Sequence, residues 1–201
     1  MTGNPPELIR DDDHFANLRS ESGAVFDIQQ RLPEFVFQHP FRKYFVIEHT
    51  HVFRPEFGRF LFNLREIFGD TAVNYLTLVP DAVDYYYRHF SFFGLASFDP
   101  ARLTERYKAV MSREGAVNSF LARGGDVGVF WGSSQNWGIF DDRISWEIAV
   151  IAVSQEVDVP SISGYRCMDS AWFSEYIKRQ YPHDLQTAES FIQKFLANYP
   201  I

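Results

Sequence analysis

Two histidines and a glutamate stand together in the stretch Glu48-His49-Thr50-His51, where the spacing could serve metal chemistry. Residues 43–53 are rich in β-branched and aromatic side chains, so we predict a strand there. Because side chains alternate along a strand, His49 and His51 are expected on one face, a pairing found in metal sites. Two ligands do not complete a site, and a half-buried, hydrogen-bonded histidine is the more common case. A metal-dependent enzyme using His49 and His51 is therefore one alternative hypothesis, and a structural or scaffold protein is the other.

A second group of reactive side chains lies between Trp131 and Glu147. A turn predicted at Asp141, Asp142 and Arg143 would present two carboxylates to solvent, and Glu147 then enters an otherwise apolar strand. A buried carboxylate needs a partner, so Arg143 and Glu147 form an ion pair in one interpretation. In the other, Asp141, Asp142 and Glu147 form an acidic edge that binds a basic protein. Trp131, if it lies at the rim, is the best aromatic contact residue.

Three other sequence features could indicate catalysis, but none has the pattern that a catalytic site requires. The glycines of residues 124–132 lack the spacing and the Lys-Ser/Thr ending of a phosphate-binding loop. Ser133 and Ser134 lack the flanking pattern of a hydrolase nucleophile. Cys167 is the only cysteine and is expected to be inert. We therefore assign no catalytic residue, expect no cofactor and leave enzymatic activity open, with a non-enzymatic role favoured.

The composition indicates the number of domains and the cellular compartment. The 201 residues are 46% hydrophobic, which fits one domain over residues 1–201 whose first dozen residues are frayed. A single cysteine cannot form an internal disulfide, and this agrees with a reducing compartment. The first residues lack the pattern of a secretory signal, and no window approaches the ~20 apolar residues of a membrane span. A soluble, cytoplasmic protein without membrane association is expected.

The net charge indicates which classes of partner the protein can bind. The chain has 26 acidic and 19 basic side chains, a net charge of -7. This charge repels nucleic-acid phosphates, so we expect no nucleic-acid binding. It favours encounter with a basic protein.

The elements that position these residues follow from periodicity. Apolar residues at helical spacing predict a helix from Pro55 to Gly69, between strands at residues 43–53 and 72–79 that could form a parallel crossover. Strands at residues 126–131, 136–140 and 145–153 predict a C-terminal three-stranded meander, which two amphipathic helices at residues 170–181 and 187–199 would cover. The expected fold is a single α+β domain with a mixed, largely antiparallel sheet. The predicted turn places Trp137 and Ile139 on one sheet face with Trp146, Ile148 and Val150.

An aromatic-rich strand, an acidic turn with Arg143, and Glu147 at the start of an apolar strand together form a recognisable pattern. It resembles one found in small cytoplasmic bacterial proteins, among them immunity proteins of polymorphic toxin systems. The resemblance covers only residues 131–153. It implies an acidic, soluble, non-catalytic inhibitor of another protein.

Overall fold

Six strands form one sheet in the computed structural model, which describes residues 6–111 and 125–201. Their order across the sheet is β1-β6-β5-β4-β2-β3, and all neighbouring strands are antiparallel. The predicted α+β class is confirmed, with a described sheet that is antiparallel throughout. The strands are β1 Lys43–Glu48, β2 Val73–Val79, β3 Leu95–Phe98, β4 Val127–Gly132, β5 Trp137–Asp142 and β6 Ile148–Val153.

Helices precede, separate and follow these strands. Their first turns are set by aspartates: Asp11, Asp169 and Asp184 each accept a hydrogen bond from a main-chain N–H three residues later. The predicted helix that begins at Pro55 is confirmed, and Gly69 ends it in the left-handed conformation with φ 69°. The helices within the described residues are α1 Asp12–Val25, α2 Pro55–Phe68, α3 Arg88–Phe90, α4 Leu103–Met111, α5 Val159–Ser163, α6 Ser170–Gln180 and α7 Leu185–Asn198.

Each face of the sheet is covered by helices, so the molecule has two hydrophobic cores. The first core lies under α1, α6 and α7, and the second lies under α2, α4 and α5. Alternate residues of β6 belong to different cores: Ile148 and Val150 to the first, Ala149 and Ile151 to the second. The unbroken apolar run of β6 follows from this burial on both faces.

The predicted strand-helix-strand unit is present, but its two strands are not neighbours in the sheet. β1 and β2 run in the same direction, because three strands, each antiparallel to its neighbours, lie between them. α2 connects β1 to β2 across the second core. The predicted meander of β4, β5 and β6 is confirmed, and these three strands lie between β1 and β2 in the sheet.

Both edges of the sheet are covered. Leu8 pairs with Ala96 of β3, and Met168 pairs with Val46 of β1. Glu7 adds a two-pronged ion pair, in which Arg106 Nε and Nη2 lie 2.8 and 3.0 Å from its carboxylate oxygens. The expectation that the first dozen residues are frayed is therefore wrong for residues 7–9, whose main chain extends the sheet. Residues 1–5 lie outside the described part of the chain.

Most of the aromatic surplus is buried. In the helical segment Ala82–Tyr87, Tyr86 is 1% exposed, whereas Tyr85 and Tyr87 face solvent. No helix within residues 6–111 and 125–201 is long and apolar enough to cross a lipid bilayer.

Candidate functional site

The hairpin between β5 and β6 closes through residues 143–147. Asp141 lies opposite Ala149 and Asp142 lies opposite Ile148, so both acids are the last residues of β5. The prediction of an exposed turn that includes both acids is wrong. Asp141 is 2% exposed and Asp142 is 1% exposed, so neither carboxylate forms an acidic edge at the surface.

The longer strand also changes which side chains share a face, because a shift in where the turn falls moves side chains to the opposite face. Trp137 and Ile139 face the second core, whereas Ile148 and Val150 face the first. The predicted common face is therefore wrong. The C-terminal helices do cover the Ile148 side, where the half-buried Trp146 stacks on an aromatic ring of α7.

Asp141 is held inside the protein by His49. The Nδ1 atom of His49 lies 2.6 Å from Oδ1 of Asp141, and both side chains are buried. Burial raises the pKa of Asp141, while the hydrogen bond to His49 and the charge of Arg143 act in the opposite direction. The contact satisfies a carboxylate that burial would otherwise destabilise. It also fixes the orientation of the imidazole ring.

His51 takes no part in this pair. Residues 49–51 form a 3₁₀ turn after β1, so the prediction that both histidines share one strand face is wrong. The His51 ring stacks on Tyr165 at a centroid distance of 4.5 Å, and its Nδ1 atom is buried without a hydrogen-bond partner among the described residues. Burial and the charge of Arg54 lower the pKa of this imidazole. Within residues 6–111 and 125–201, no group of three or more His, Cys, Asp or Glu side chains could hold a metal ion.

Asp142 fixes the start of the turn. Its Oδ1 atom accepts a hydrogen bond from the main-chain N–H of Ser145 at 2.8 Å. Burial raises the pKa of Asp142, the bond from Ser145 opposes this change, and the charge of Asp141 adds to it. Asp142 thus acts as aspartates commonly do at the first position of a turn.

Further hydrogen bonds hold residues 143–147 from three directions: the loop before β4, the end of β1, and the C-terminal end of α6. A turn bonded on several sides keeps one conformation without a ligand. The bonds run from Arg143 N to Asp126 O (2.8 Å), from His49 N to Glu147 O (2.9 Å), from Tyr176 Oη to Glu147 O (3.1 Å), from Gln180 Nε2 to Glu147 Oε2 (3.2 Å), and from Tyr181 Oη to Ser145 O.

Glu147 has an unusual backbone conformation. Its φ is 54°, in the left-handed region, which costs a residue with a side chain about 1–2 kcal/mol. The conformation persists because the Glu147 carbonyl accepts hydrogen bonds from both His49 and Tyr176. Backbone strain of this kind is concentrated at functional sites.

The turn presents apolar surface to solvent. Ile144 at its tip is 63% exposed, and Leu185 at the start of α7 is 51% exposed. Trp146 and Tyr181, whose ring centroids are 4.9 Å apart, are partly exposed, and the Tyr181 carbonyl accepts a hydrogen bond from the main-chain N–H of Asp184, next to Leu185. Glu147 supplies an exposed carboxylate. We call these residues, Ile144, Trp146, Glu147, Tyr181 and Leu185, the turn surface.

Trp131 does not belong to this surface. It is fully buried in the first core, so the expectation of a contact residue at the rim is wrong. Its neighbour across the ladder is Asn74. Within the described residues, neither Trp131 Nε1 nor the Asn74 side-chain amide has a hydrogen-bond partner.

The loop between β4 and β5 is organised by Asp70, a residue that no sequence pattern singled out. Its carboxylate accepts hydrogen bonds from Ser134 N at 2.6 Å and from Trp137 Nε1 at 2.7 Å. Gly132 lies against this carboxylate, where a Cβ atom would collide with it. Ser133 Oγ accepts a hydrogen bond from the Thr71 main chain. These contacts give both serines and Trp137 structural roles.

Scans of the chain against protein-family models, curated proteins and solved structures find no match. The candidate site therefore rests on the geometry of this molecule alone. Of the predicted contact residues, Arg143 and Glu147 lie on the turn, whereas Trp131, Asp141 and Asp142 lie beneath it or away from it. Ile144 escaped the prediction because the turn was placed too early in the chain. Tyr181 escaped it because its contact with the turn joins residues 36 positions apart, and no local pattern reports such a contact.

Proposed function

We propose that this chain is an acidic protein-binding protein that holds a basic partner on the turn surface. The observation that carries the proposal is Ile144, a large apolar side chain that is 63% exposed on a turn fixed from several sides. An exposed isoleucine gains free energy when a partner buries it. A turn that is already ordered loses little conformational entropy on binding.

The charges around the turn surface support a basic partner. Burial raises the pKa of the Tyr176 hydroxyl, and Glu48 and Glu147 both lie close enough to raise it further, while the hydrogen bond with Gln180 and the charge of Arg179 act in the opposite direction. Glu147 belongs to the turn surface, and both carboxylates contribute to the net charge of -7. Such an arrangement accelerates the encounter with a positive surface and disfavours acidic competitors.

An inhibitor of the immunity-protein kind is the form of this function that we propose. The support is the sequence resemblance over residues 131–153 together with the rigid, partly apolar turn within them. A cytoplasmic location agrees with Cys167, a single free thiol. The metal-enzyme alternative is not carried forward, because His49 is bonded to Asp141 and His51 stacks on Tyr165 instead of sharing a site with it.

A pull-down with matched variants tests the proposal. Tagged protein is incubated with an extract of the native host and washed at low and high salt, and a retained partner is then purified and its Kd measured. Ile144→Asp should weaken binding at least about tenfold, because it places a charge in a desolvated contact. Glu147→Lys should weaken partner binding more at low salt than at high salt, because salt screens exposed charges.

Ile67→Asp is the control, since Ile67 is another exposed isoleucine, 40% exposed on α2. It should bind as the wild type does. Equal retention by wild type and Ile144→Asp would contradict the proposal, as would a partner whose binding does not respond to salt. Thermal melting of each variant shows that the fold is kept.

A further inference from the structure

A cavity of about 160 Å³ lies on the first-core side, between α1, residues 28–31 and the end of β2. An engineered cavity of about this volume holds one benzene-sized molecule. The apolar part of its lining consists of Ile28, Leu76, Leu78 and Ala82. The cavity is separate from the turn surface, and none of the contacts described above uses it.

Two arginines line this cavity, Arg19 and Arg31, and the Arg19 guanidinium also lies over the Phe15 ring, 5.8 Å from its centroid. Neither lies within ion-pair distance of a carboxylate in residues 6–111 and 125–201. In a chain with 26 acidic side chains, two arginines that line one cavity without a carboxylate partner among the described residues are available to an anion from outside. Gln29 adds a polar side chain at the rim.

Arg31 is fixed in position by its own main-chain neighbours. Its Nη1 atom donates to the carbonyl oxygens of Ile28 at 2.8 Å and Gln30 at 2.7 Å. A guanidinium has five N–H donors in a planar fork, so about three remain on Nε and Nη2. A fork held in this way is suited to two parallel hydrogen bonds to a carboxylate.

Two acidic groups limit the positive charge of the site. Asp81 lines the cavity, and its Oδ1 atom accepts hydrogen bonds from Val83 N and Asp84 N at 2.8 Å. Asp142 acts on Arg31 at longer range. Two guanidinium charges opposed by at least one carboxylate match a singly charged anion better than a doubly charged phosphate.

We propose that this cavity binds a small monocarboxylic acid, with its carboxylate on Arg31 and Arg19 and its apolar part on Ile28, Leu76 and Leu78. The volume fits an acid about the size of benzoate. This site is independent of the proposed partner binding.

NMR titration of the full chain tests the site with benzoate, benzamide and inorganic phosphate as probes. Benzoate should cause saturable shifts confined to the main-chain amides of residues 28–31 and 76–82. Benzamide has the same shape without the charge, and it should bind at least about tenfold more weakly, because a bidentate charged pair is lost. Equal binding of benzoate and benzamide, stronger binding of phosphate, or no saturable shift with benzoate would overturn the proposal.

Substitution separates the two arginines. Arg19→Met should weaken benzoate binding about threefold to tenfold. Within residues 6–111 and 125–201 the Arg19 guanidinium makes no hydrogen bond, and methionine keeps an apolar stem beside the Phe15 ring. Arg31→Lys keeps the charge but loses the fork, and it should weaken binding at least about tenfold. Arg42→Met is the control, because Arg42 pairs with Glu156 away from the cavity. Unchanged binding by both Arg19→Met and Arg31→Lys would overturn the proposal.

Discussion

The contact between His49 and Asp141 joins two residues that are far apart in the sequence. The main-chain N–H of His49 also holds the Glu147 carbonyl, so one residue supports both the end of β5 and the turn that follows. Replacement of one member of a buried pair costs more than replacement of both, because the remaining group is left without a partner.

His49→Leu should therefore lower the free energy of unfolding by about 3 kcal/mol. The change leaves Asp141 buried without its hydrogen bond. Urea unfolding at neutral pH measures the loss. The double variant His49→Leu/Asp141→Leu replaces both polar groups and should be closer to the wild type. A single variant that is as stable as the double variant would contradict the interpretation.

Asp142 should make stability depend on pH in a defined direction. Burial raises its pKa above 3.8, so the folded protein binds this proton more tightly than the unfolded chain does. Its contribution to stability is therefore fully present below pH 3.8 and is lost as the pH rises through the folded pKa. Asp142→Asn keeps the oxygen that accepts from Ser145 but does not titrate.

We expect the free energy of unfolding of Asp142→Asn, relative to the wild type, to increase from about pH 4 to about pH 7. Urea unfolding at a series of pH values measures this difference. A difference that stays constant with pH would show that Asp142 keeps an ordinary pKa in the folded state, and a difference that decreases would show that its pKa is lowered there. Either result would contradict the prediction.

At the scale of elements, the turn at residues 143–147 combines rigidity with local strain. Glu147→Gly removes the left-handed cost of about 1–2 kcal/mol and adds about 0.5–1 kcal/mol of unfolded-state entropy. The free energy of unfolding should rise by up to about 1.5 kcal/mol, while partner binding weakens because a carboxylate is lost.

Urea unfolding of Glu147→Gly and Glu48→Gly provides the comparison. Glu48 lies at the end of β1 with an ordinary extended backbone, so glycine there should only destabilise. If both glycine variants lose stability equally, the strain assigned to Glu147 is absent.

The sequence predicted most elements but not their register. Periodicity located α2, α6, α7 and the meander, because each has a regular apolar pattern that tertiary contacts reinforce. The end of β5 was missed because two consecutive aspartates resemble a turn. The partner of Asp141, His49, lies 92 residues away, and no local pattern reports such a contact. Asp70 was missed for the same reason, since its partners belong to the loop between β4 and β5.

At the scale of the whole molecule, the N-terminal segment closes the β3 edge of the sheet. Deletion of residues 1–9 removes Leu8 and Ile9, both 6% exposed, and exposes unpaired N–H and C=O groups of β3. The free energy of unfolding should fall by at least about 3 kcal/mol, from the lost burial of two large side chains. An uncovered edge also promotes self-association.

Urea unfolding and light scattering at several concentrations measure these two effects. Glu7→Gln is the control: it weakens the contact with Arg106 but keeps the edge covered, so it should lose less stability and show no concentration-dependent association. A deletion variant as stable as the full chain, with unchanged scattering, would show that β3 needs no cover.

The strand order has a consequence for the nascent chain on the ribosome. β1 leaves the ribosome early, yet its partner in the sheet, β6, is the last strand to be synthesised, and Met168 on its other side comes later still. β2 and β3 can pair at once as a hairpin. β1 must wait with its hydrogen-bonding groups and apolar side chains uncovered, a state that is prone to aggregate. The topology therefore predicts that a chaperone shields residues 43–48 during translation.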